Sequence, residues 1–391
     1  MYLDLSDEQK ALQKELREYF AKLVTPEKRV ETDEEEEMGQ SWRGMVRQMG
    51  KDGWLGIGWP KEFGGQGRGP IDQLIFYEEA GRAGAPIPLV TINTVGPTIA
   101  HYGTDEQKEF FLPKILGGEI QFAIGYSEPE AGTDLASLRT RAVRIDDEYI
   151  VNGQKVFTTG GHVADYVCLA SPTDPDAPKH KGISILIVDT SDPGYSHTPI
   201  HTVAGGFTNA TYYRDVRVSL NRLVGEENGG WRMITTQLNF ERVALGPAGR
   251  IFRGLDQVTA WAKDTKAPDG RRMIDQEWVR LKLATVRAKA EACSLMNWRI
   301  AALQQHGALK AGDASALKVF GTELRIEATR LLMDVLGPEA TIQKGSPRAL
   351  FDGLFEVQYR GAIVGTFGGG VNEVQREIIG AAGLGMPRVP R

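Results

Sequence analysis

Apolar residues recur at helical spacing through the first third of the chain. Leu12, Leu16 and Tyr19 share one face of the segment from Asp7 to Phe20, which predicts a helix there. Further helices are expected over Ile71 to Arg82 and over Asp105 to Leu116. Trp54 to Pro70, rich in glycine and aromatic residues, reads as a loop. Glu31 to Glu37 is an acidic run expected to form a solvated loop or a helix end. From about residue 123 the pattern shortens and becomes β-branched. Tyr166 to Leu169, Ile183 to Val188 and Thr211 to Val218 are expected strands, with Pro172 to Lys181 as a polar loop between the first two. Tyr149-Ile-Val, Asn152-Gly153 and Lys155-Val-Phe157 predict a hairpin with a two-residue turn. After Gly229-Gly230 the pattern is helical again, over Trp231 to Gly246, Glu277 to Gln305 and Asp313 to Leu336. The expected fold is mainly α with a central β domain: a helical unit over 1–122, a small β-barrel or sandwich over 123–230, and a helical bundle over 231–391.

Composition adds limits. A chain of 391 residues suits two or three packed domains. Its net charge of −5 argues against nucleic-acid binding, which needs a basic face. No apolar run approaches the roughly 18 residues of a membrane span. Met1 to Lys10 is charged and polar, unlike a signal peptide. Two cysteines, Cys168 and Cys293, lie in apolar surroundings and are expected as reduced core thiols. A cytoplasmic protein is the expectation. The six histidines show no metal-ligand spacing: His197 and His201 are separated by Pro199, which argues against a shared helix face. No Gly-x-Ser-x-Gly elbow is present.

One carboxylate sits in an unusual setting. Ile234, Leu238, Glu241 and Leu245 fall on one face of the helix expected from Trp231. Burial there would raise the Glu241 pKa, as suits a general base working near neutral pH. The same pattern also fits a glutamate paired with an arginine at the helix edge. Asn239 and Arg242, on a neighbouring face, could hold a phosphate-bearing tail or simply form solvated surface. The loop Tyr126-Ser-Glu-Pro-Glu-Ala-Gly-Thr-Asp134 can present backbone N–H groups and a hydroxyl to a phosphate or a flavin edge, or be an ordinary polar turn.

Four motifs occur together and in order: Gly103-Thr-Asp-Glu-Gln-Lys-Glu-Phe-Phe-Leu-Pro113, Phe122-Ala-Ile-Gly-Tyr-Ser-Glu-Pro-Glu-Ala-Gly-Thr-Asp134, Tyr149-Ile-Val-Asn-Gly-Gln-Lys-Val-Phe-Thr-Thr159 and Gly369-Gly-Val-Asn-Glu-Val-Gln-Arg376. On these the chain resembles the acyl-CoA dehydrogenase family along nearly its whole length. The resemblance implies FAD as cofactor, an acyl-CoA substrate oxidised to the 2,3-enoyl-CoA, and an electron-transfer flavoprotein as acceptor. It places Tyr126, Ser127, Gly132, Thr133, Phe157, Thr159, Gly369, Gly370 and Glu373 at the flavin. Thr133 and Gly369 also lie at the thioester, and Asn239 and Arg242 at the CoA moiety. Phe157 stands where the family usually has tryptophan, which keeps an aromatic wall and removes an N–H donor. Most members carry the catalytic Glu at the position of Gly369. A minority resembling isovaleryl-CoA dehydrogenase place it just before the arginine of the bundle helix, which here is Glu241-Arg242. The resemblance thus implies Glu241 as the α-proton base.

Two family features are broken. Arg-x-x-Phe-Gly, which grips the neighbouring subunit's flavin, is replaced by Trp261-Ala-Lys-Asp-Thr-Lys-Ala-Pro-Asp-Gly-Arg-Arg-Met-Ile274. The glutamine and Gly-rich turn of a later helix have become Asp334-Val-Leu-Gly-Pro-Glu-Ala340, which puts an acid near a pyrophosphate. The sequence resembles the actinobacterial α2β2 dehydrogenases of steroid side-chain β-oxidation. That implies a paralogous partner completing the flavin site; a homotetramer using Arg271 or Arg272 is the alternative. Small residues Ala244, Gly246, Ala248 and Gly249 could leave room for a bulky acyl group or serve close helix packing. Acyl-CoA oxidase, another flavin enzyme on the same fold, and a non-catalytic partner subunit are the competing functions.

Overall fold

The computed structural model describes residues 4–34, 38–240, 246 and 248–387. The N-terminal part is helical: α1 Asp7–Leu23, α2 Pro26–Glu34, α3 Gln40–Lys51, α4 Pro70–Ala83, α5 Gly96–Tyr102 and α6 Asp105–Leu116. Ser6 and Thr104 start α1 and α6 with reciprocal capping boxes, in which Gln9 and Gln107 accept from the cap N–H groups. The buried face of α1 is Leu12, Leu16, Phe20 and Leu23. The acidic run is helical as far as Glu34; positions 35–37 lie outside the described residues. The Trp54 to Pro70 stretch is not a plain loop. It holds two 3-10 turns, Trp54–Gly56 and Lys61–Phe63, because Trp54 and Trp59 are buried and Trp59 donates its indole N–H to the Ile92 carbonyl at 3.1 Å.

The middle of the chain forms β1 Phe122–Gly125, β2 Arg141–Ile145, β3 Glu148–Lys155, β4 Tyr166–Pro172, β5 Ile183–Asp189, β6 Tyr195–His201, β7 Phe207–Ser219 and β8 Leu223–Val224. Two four-stranded sheets result, in the orders β1-β4-β5-β8 and β2-β3-β7-β6. Alternate residues of both, including Tyr149, Val151, Val167, Leu169, Leu186, Val188, Val216 and Val218, fill one core. The expected hairpin at Asn152-Gly153 is wrong. β3 runs straight through these residues, with a register shift between Val151 and Gly153 against β7. Asn152 is held by Asp215, donating to its carboxylate at 2.9 Å and accepting its backbone N–H at 3.0 Å. A Cβ on Gly153 would lie 2.6 Å from the Thr140 Cα, so the glycine serves close backbone approach and not a turn. The turn lies earlier, between β2 and β3, with Asp146 at a φ of 51°.

The C-terminal part holds α7 Gly230–Phe240, α8 Gly249–Asp264, α9 Glu277–Gln305, α10 Ala311–Leu336, α11 Leu354–Ala362 and α12 Asn372–Ile378. Phe252, Leu255, Val258, Val286, Leu324, Leu332 and Phe355 belong to its core. The helix expected over Trp231 to Gly246 is described as far as Phe240, and Gly246 is not helical. Gly249 brings α8 against α4: a Cβ there would lie 2.2 Å from the Glu78 carbonyl oxygen. Gly246 similarly faces Asn297 and Leu317, so these two glycines serve close packing, while Ala244 lies outside the described residues. Cys168 and Cys293 are both free and buried, and burial pushes each thiol up to about 12. Among the described residues no helix is long and apolar enough to cross a membrane.

Candidate active site

The loop after β1 carries Tyr126 to Asp134, and two interactions fix it to the end of β3. Val156 N–H donates to the Ser127 carbonyl at 2.9 Å. The Lys155 ammonium, 0% exposed, donates to the Tyr126 carbonyl at 3.1 Å and to Glu128 at 2.7 Å. Glu128 also accepts the N–H groups of Arg139 and Thr140 at 2.7 and 3.0 Å. Burial works to raise the Glu128 pKa, but Lys155 and these donors outweigh it and hold the carboxyl below its usual range. Burial pushes Lys155 down to about 8 against the pull of Glu128. Both groups are therefore charged at neutral pH.

The loop so fixed leaves an open, polar-edged shelf. Gly132 and Thr133 are exposed, and a Cβ on Gly132 would meet nothing within 4 Å. Phe157, two residues after Lys155, has a φ of 60° and is 65% exposed. An apolar ring left open to water is a candidate contact surface for a flat ligand. The Thr159 hydroxyl, next to it, reaches the Thr208 hydroxyl at 3.2 Å. These residues fit a flavin: a flat wall from Phe157, open space over Gly132, and hydroxyls at its edge from Thr133 and Thr159.

A second cluster lies in the bundle. Gly369 and Gly370 form a turn before α12 with φ values of 68° and 90°, where a side chain would be strained. The Gly369 carbonyl accepts from the Gln375 amide at 3.2 Å and the Gly370 carbonyl from Lys318 at 2.8 Å. Glu373 is exposed in the first turn of α12. The bundle meets the β domain where the Arg360 guanidinium donates to the Val203 carbonyl.

α7 connects the two clusters in sequence. Gln237, buried on α7, accepts the Tyr126 phenol, and Thr236 meets the Tyr102 hydroxyl at 3.1 Å. Ile234, the first residue of the expected apolar face, is buried. Asn239 is in the last described turn of α7, while Glu241 and Arg242, the expected base and CoA contact, lie outside the described residues. The structure thus brings Tyr126, Ser127, Phe157 and Thr159 together on the β domain and Gly369, Gly370 and Glu373 together on the bundle. Sequence reasoning missed Glu128, Lys155, Gln237 and Lys318. The signal for the lysines was a charged residue inside a buried pattern: Lys318 follows Ala314 and Leu317 on a stripe of α10, and Lys155 ends β3 in phase with Tyr149 and Val151.

Arg271 and Arg272 have local partners. Arg271 is held by Asp269 and Gln276, and Arg272 by Asp275 at 2.8 Å. Asp334 accepts from Lys282 at 2.6 Å.

Three family models cover the chain in order: the acyl-CoA dehydrogenase N-terminal domain over residues 6–119, the middle domain over 123–216 and the C-terminal domain over 228–384. Acyl-CoA dehydrogenase FadE26 of Mycobacterium tuberculosis is 55% identical over 401 aligned positions covering 100% of both chains. A chain in the crystal structure of the ChsE4-ChsE5 complex from Mycobacterium tuberculosis matches with 56% identity, a TM-score of 0.93 and 100% coverage of both. A chain of the Tcur3481-Tcur3483 steroid ACAD matches with 49% identity, a TM-score of 0.94 and 100% coverage of both. With helical, β and helical parts in the family's order and sequence identity of this extent, the chain belongs to the acyl-CoA dehydrogenase family of FAD-dependent oxidoreductases.

Proposed function

We propose that the chain is the catalytic subunit of an α2β2 dehydrogenase that converts a bulky steroid side-chain acyl-CoA to its 2,3-enoyl-CoA, with Glu241 as the α-proton base. The observation that carries this reading is the bare turn at Gly369. Its φ of 68° and missing side chain leave no titratable group at the position where most of the family holds its base. Glu241, four residues beyond Gln237 in sequence, is the carboxylate that remains for the task. The substrate class rests on the likeness to the Tcur3481-Tcur3483 steroid ACAD, and the heteromer on the likeness to a chain of the ChsE4-ChsE5 complex. It is supported by Arg271 and Arg272, which are engaged by their own loop, and by the acidic Asp334. The site falls where the units 1–122, 123–230 and 231–391 meet.

Bound FAD supplies the acceptor for the β-hydride. Glu241 takes the α-proton onto its carboxylate. Negative charge then gathers on the thioester oxygen, where the Gly369 N–H is the donor. Phe157 and the Tyr126–Thr133 loop exclude water from one side. Thr133 and Thr159 orient ligand edges, and Asn239 and Arg242 hold the CoA moiety. Electrons leave to an electron-transfer flavoprotein.

The test is E241Q in the assembled, flavin-loaded complex. Turnover is expected to fall by about 10³-fold while CoA-ester binding is retained; unchanged turnover would make the chain a non-catalytic partner. The chain expressed alone is expected to purify with substoichiometric flavin and low activity. Full flavin and full activity without a partner would rule out the heteromer.

A further inference from the structure

The Gly369 turn owes its shape to a residue that is remote in sequence and absent from the motif. Lys318, on α10, is 3% exposed. Its ammonium donates to the Gly370 carbonyl at 2.8 Å, the Asn372 side-chain oxygen at 2.7 Å and the Thr366 carbonyl at 3.3 Å. Thr366 and Asn372 bracket the segment from Phe367 to Val371, and Gly370 lies within it. One buried cation therefore closes the turn. Within it, Gly368 N–H donates to the Val364 carbonyl at 3.1 Å and the Gly369 carbonyl accepts from Gln375 at 3.2 Å. The peptide groups on either side of the Gly368–Gly369 bond are thus anchored, while the Gly369 N–H between them donates to no protein acceptor among the described residues. A fixed peptide group with a spare N–H is what stabilises a developing oxyanion without reorganisation.

We propose that Lys318 is a positioning residue for the dehydrogenation: it fixes the Thr366–Asn372 turn so that the Gly369 N–H meets the thioester oxygen. This rests on the reading of Gly369 as the oxyanion donor. The surroundings suit a permanent cation. Burial pushes Lys318 down to about 8, while Glu373 and Glu323 act to raise it, so the ammonium persists at neutral pH. Asn372 is itself held from the other side, donating to the Thr322 hydroxyl at 3.1 Å and to Glu323 at 3.2 Å. Glu323 in turn pairs with Arg376 at 2.5 Å. The turn, α10 and α12 form one network with Lys318 at its centre.

The experiment uses the assembled, flavin-loaded complex with a 3-oxoacyl-CoA, a CoA ester that forms an enolate without being oxidised. The apparent pKa of the bound probe, read from enolate absorbance, reports the oxyanion donors independently of turnover. Wild type is expected to lower the pKa of the probe on binding. K318M is expected to lose about one unit or more of that lowering, with kcat down at least about tenfold and KM changed less than about threefold. K318R is expected to recover most of both. N372A, which keeps the ammonium and removes one acceptor, is expected to fall between wild type and K318M, and it carries the test if K318M does not assemble. A probe pKa lowered equally by wild type and K318M, or by wild type and N372A if only that variant assembles, overturns the role of Lys318 alone. A probe pKa that wild type leaves unchanged overturns the Gly369 donor and this inference with it.

Discussion

Two loops face the candidate site, and each is pinned by a buried lysine, but the lysines are satisfied differently. In the β domain, Lys155 meets a carboxylate, Glu128, at 2.7 Å, and Glu128 is itself saturated by two backbone N–H groups. In the bundle, Lys318 meets two carbonyls and an amide oxygen, with carboxylates at longer range. A buried ion pair is a commitment. Removing one partner strands the other charge in a poor solvent, at a cost of about 3 to 5 kcal/mol. Removing a cation from neutral oxygens leaves only dipoles unpaired, each costing about 1 to 3 kcal/mol and able to find water at a turn with exposed glycines. The β-domain lysine is therefore expected to govern whether the Tyr126–Asp134 loop folds, and the bundle lysine how well a formed turn is aimed.

The largest effect expected from this contrast is in K155M. It should destabilise the protein by about 3 to 5 kcal/mol and lower flavin content, as read by denaturant unfolding and by the ratio of flavin to protein absorbance. E128Q/K155M should recover much of the stability, because neither charge is then stranded. If the double variant is as unstable as K155M, the loss is packing and the contrast with Lys318 fails. A smaller effect concerns a third ionisable group, the partly buried Glu78 on α4, which has no lysine. Burial pushes its carboxyl up to about 7 despite the Ala248 N–H, which donates to it at 2.9 Å, and the Arg82 charge. Its folded pKa lies above the usual 4.5, so the folded state binds the proton more tightly. Stability from this group is complete below about 4.5 and is lost as pH rises through about 7, by about 3 kcal/mol in all. E78Q should flatten that part of the stability-against-pH curve between pH 5 and 8. A curve unchanged by E78Q would show that the charge on Glu78 is tolerated and that Lys155 alone needs a partner.

The sequence carried much of this. Amphipathic spacing located α1, α4, α6, α9 and α10 within a few residues, because each has a long apolar stripe and α1 and α6 have capping boxes at their starts. The change to β-branched runs located β4, β5 and β7. The short or solvent-facing strands β1, β2, β6 and β8 were not marked, since few of their positions are buried in alternation. Asn152-Gly153 misled because a turn signal is local, whereas β3 is fixed by ladders to both β2 and β7, and Asn152 is engaged by Asp215.

What the sequence determined by itself is the family, the order of helical, β and helical parts, and the presence of a glycine at position 369 and a glutamate at 241, since these depend on residue identity and chain order. The tertiary structure decided which charges could be buried. Lys155 and Glu128 are separated by 27 residues, and Lys318 and Gly370 by 52, so no local pattern could pair them. Only folding brings such groups within hydrogen-bond distance, and only burial makes the pairing necessary.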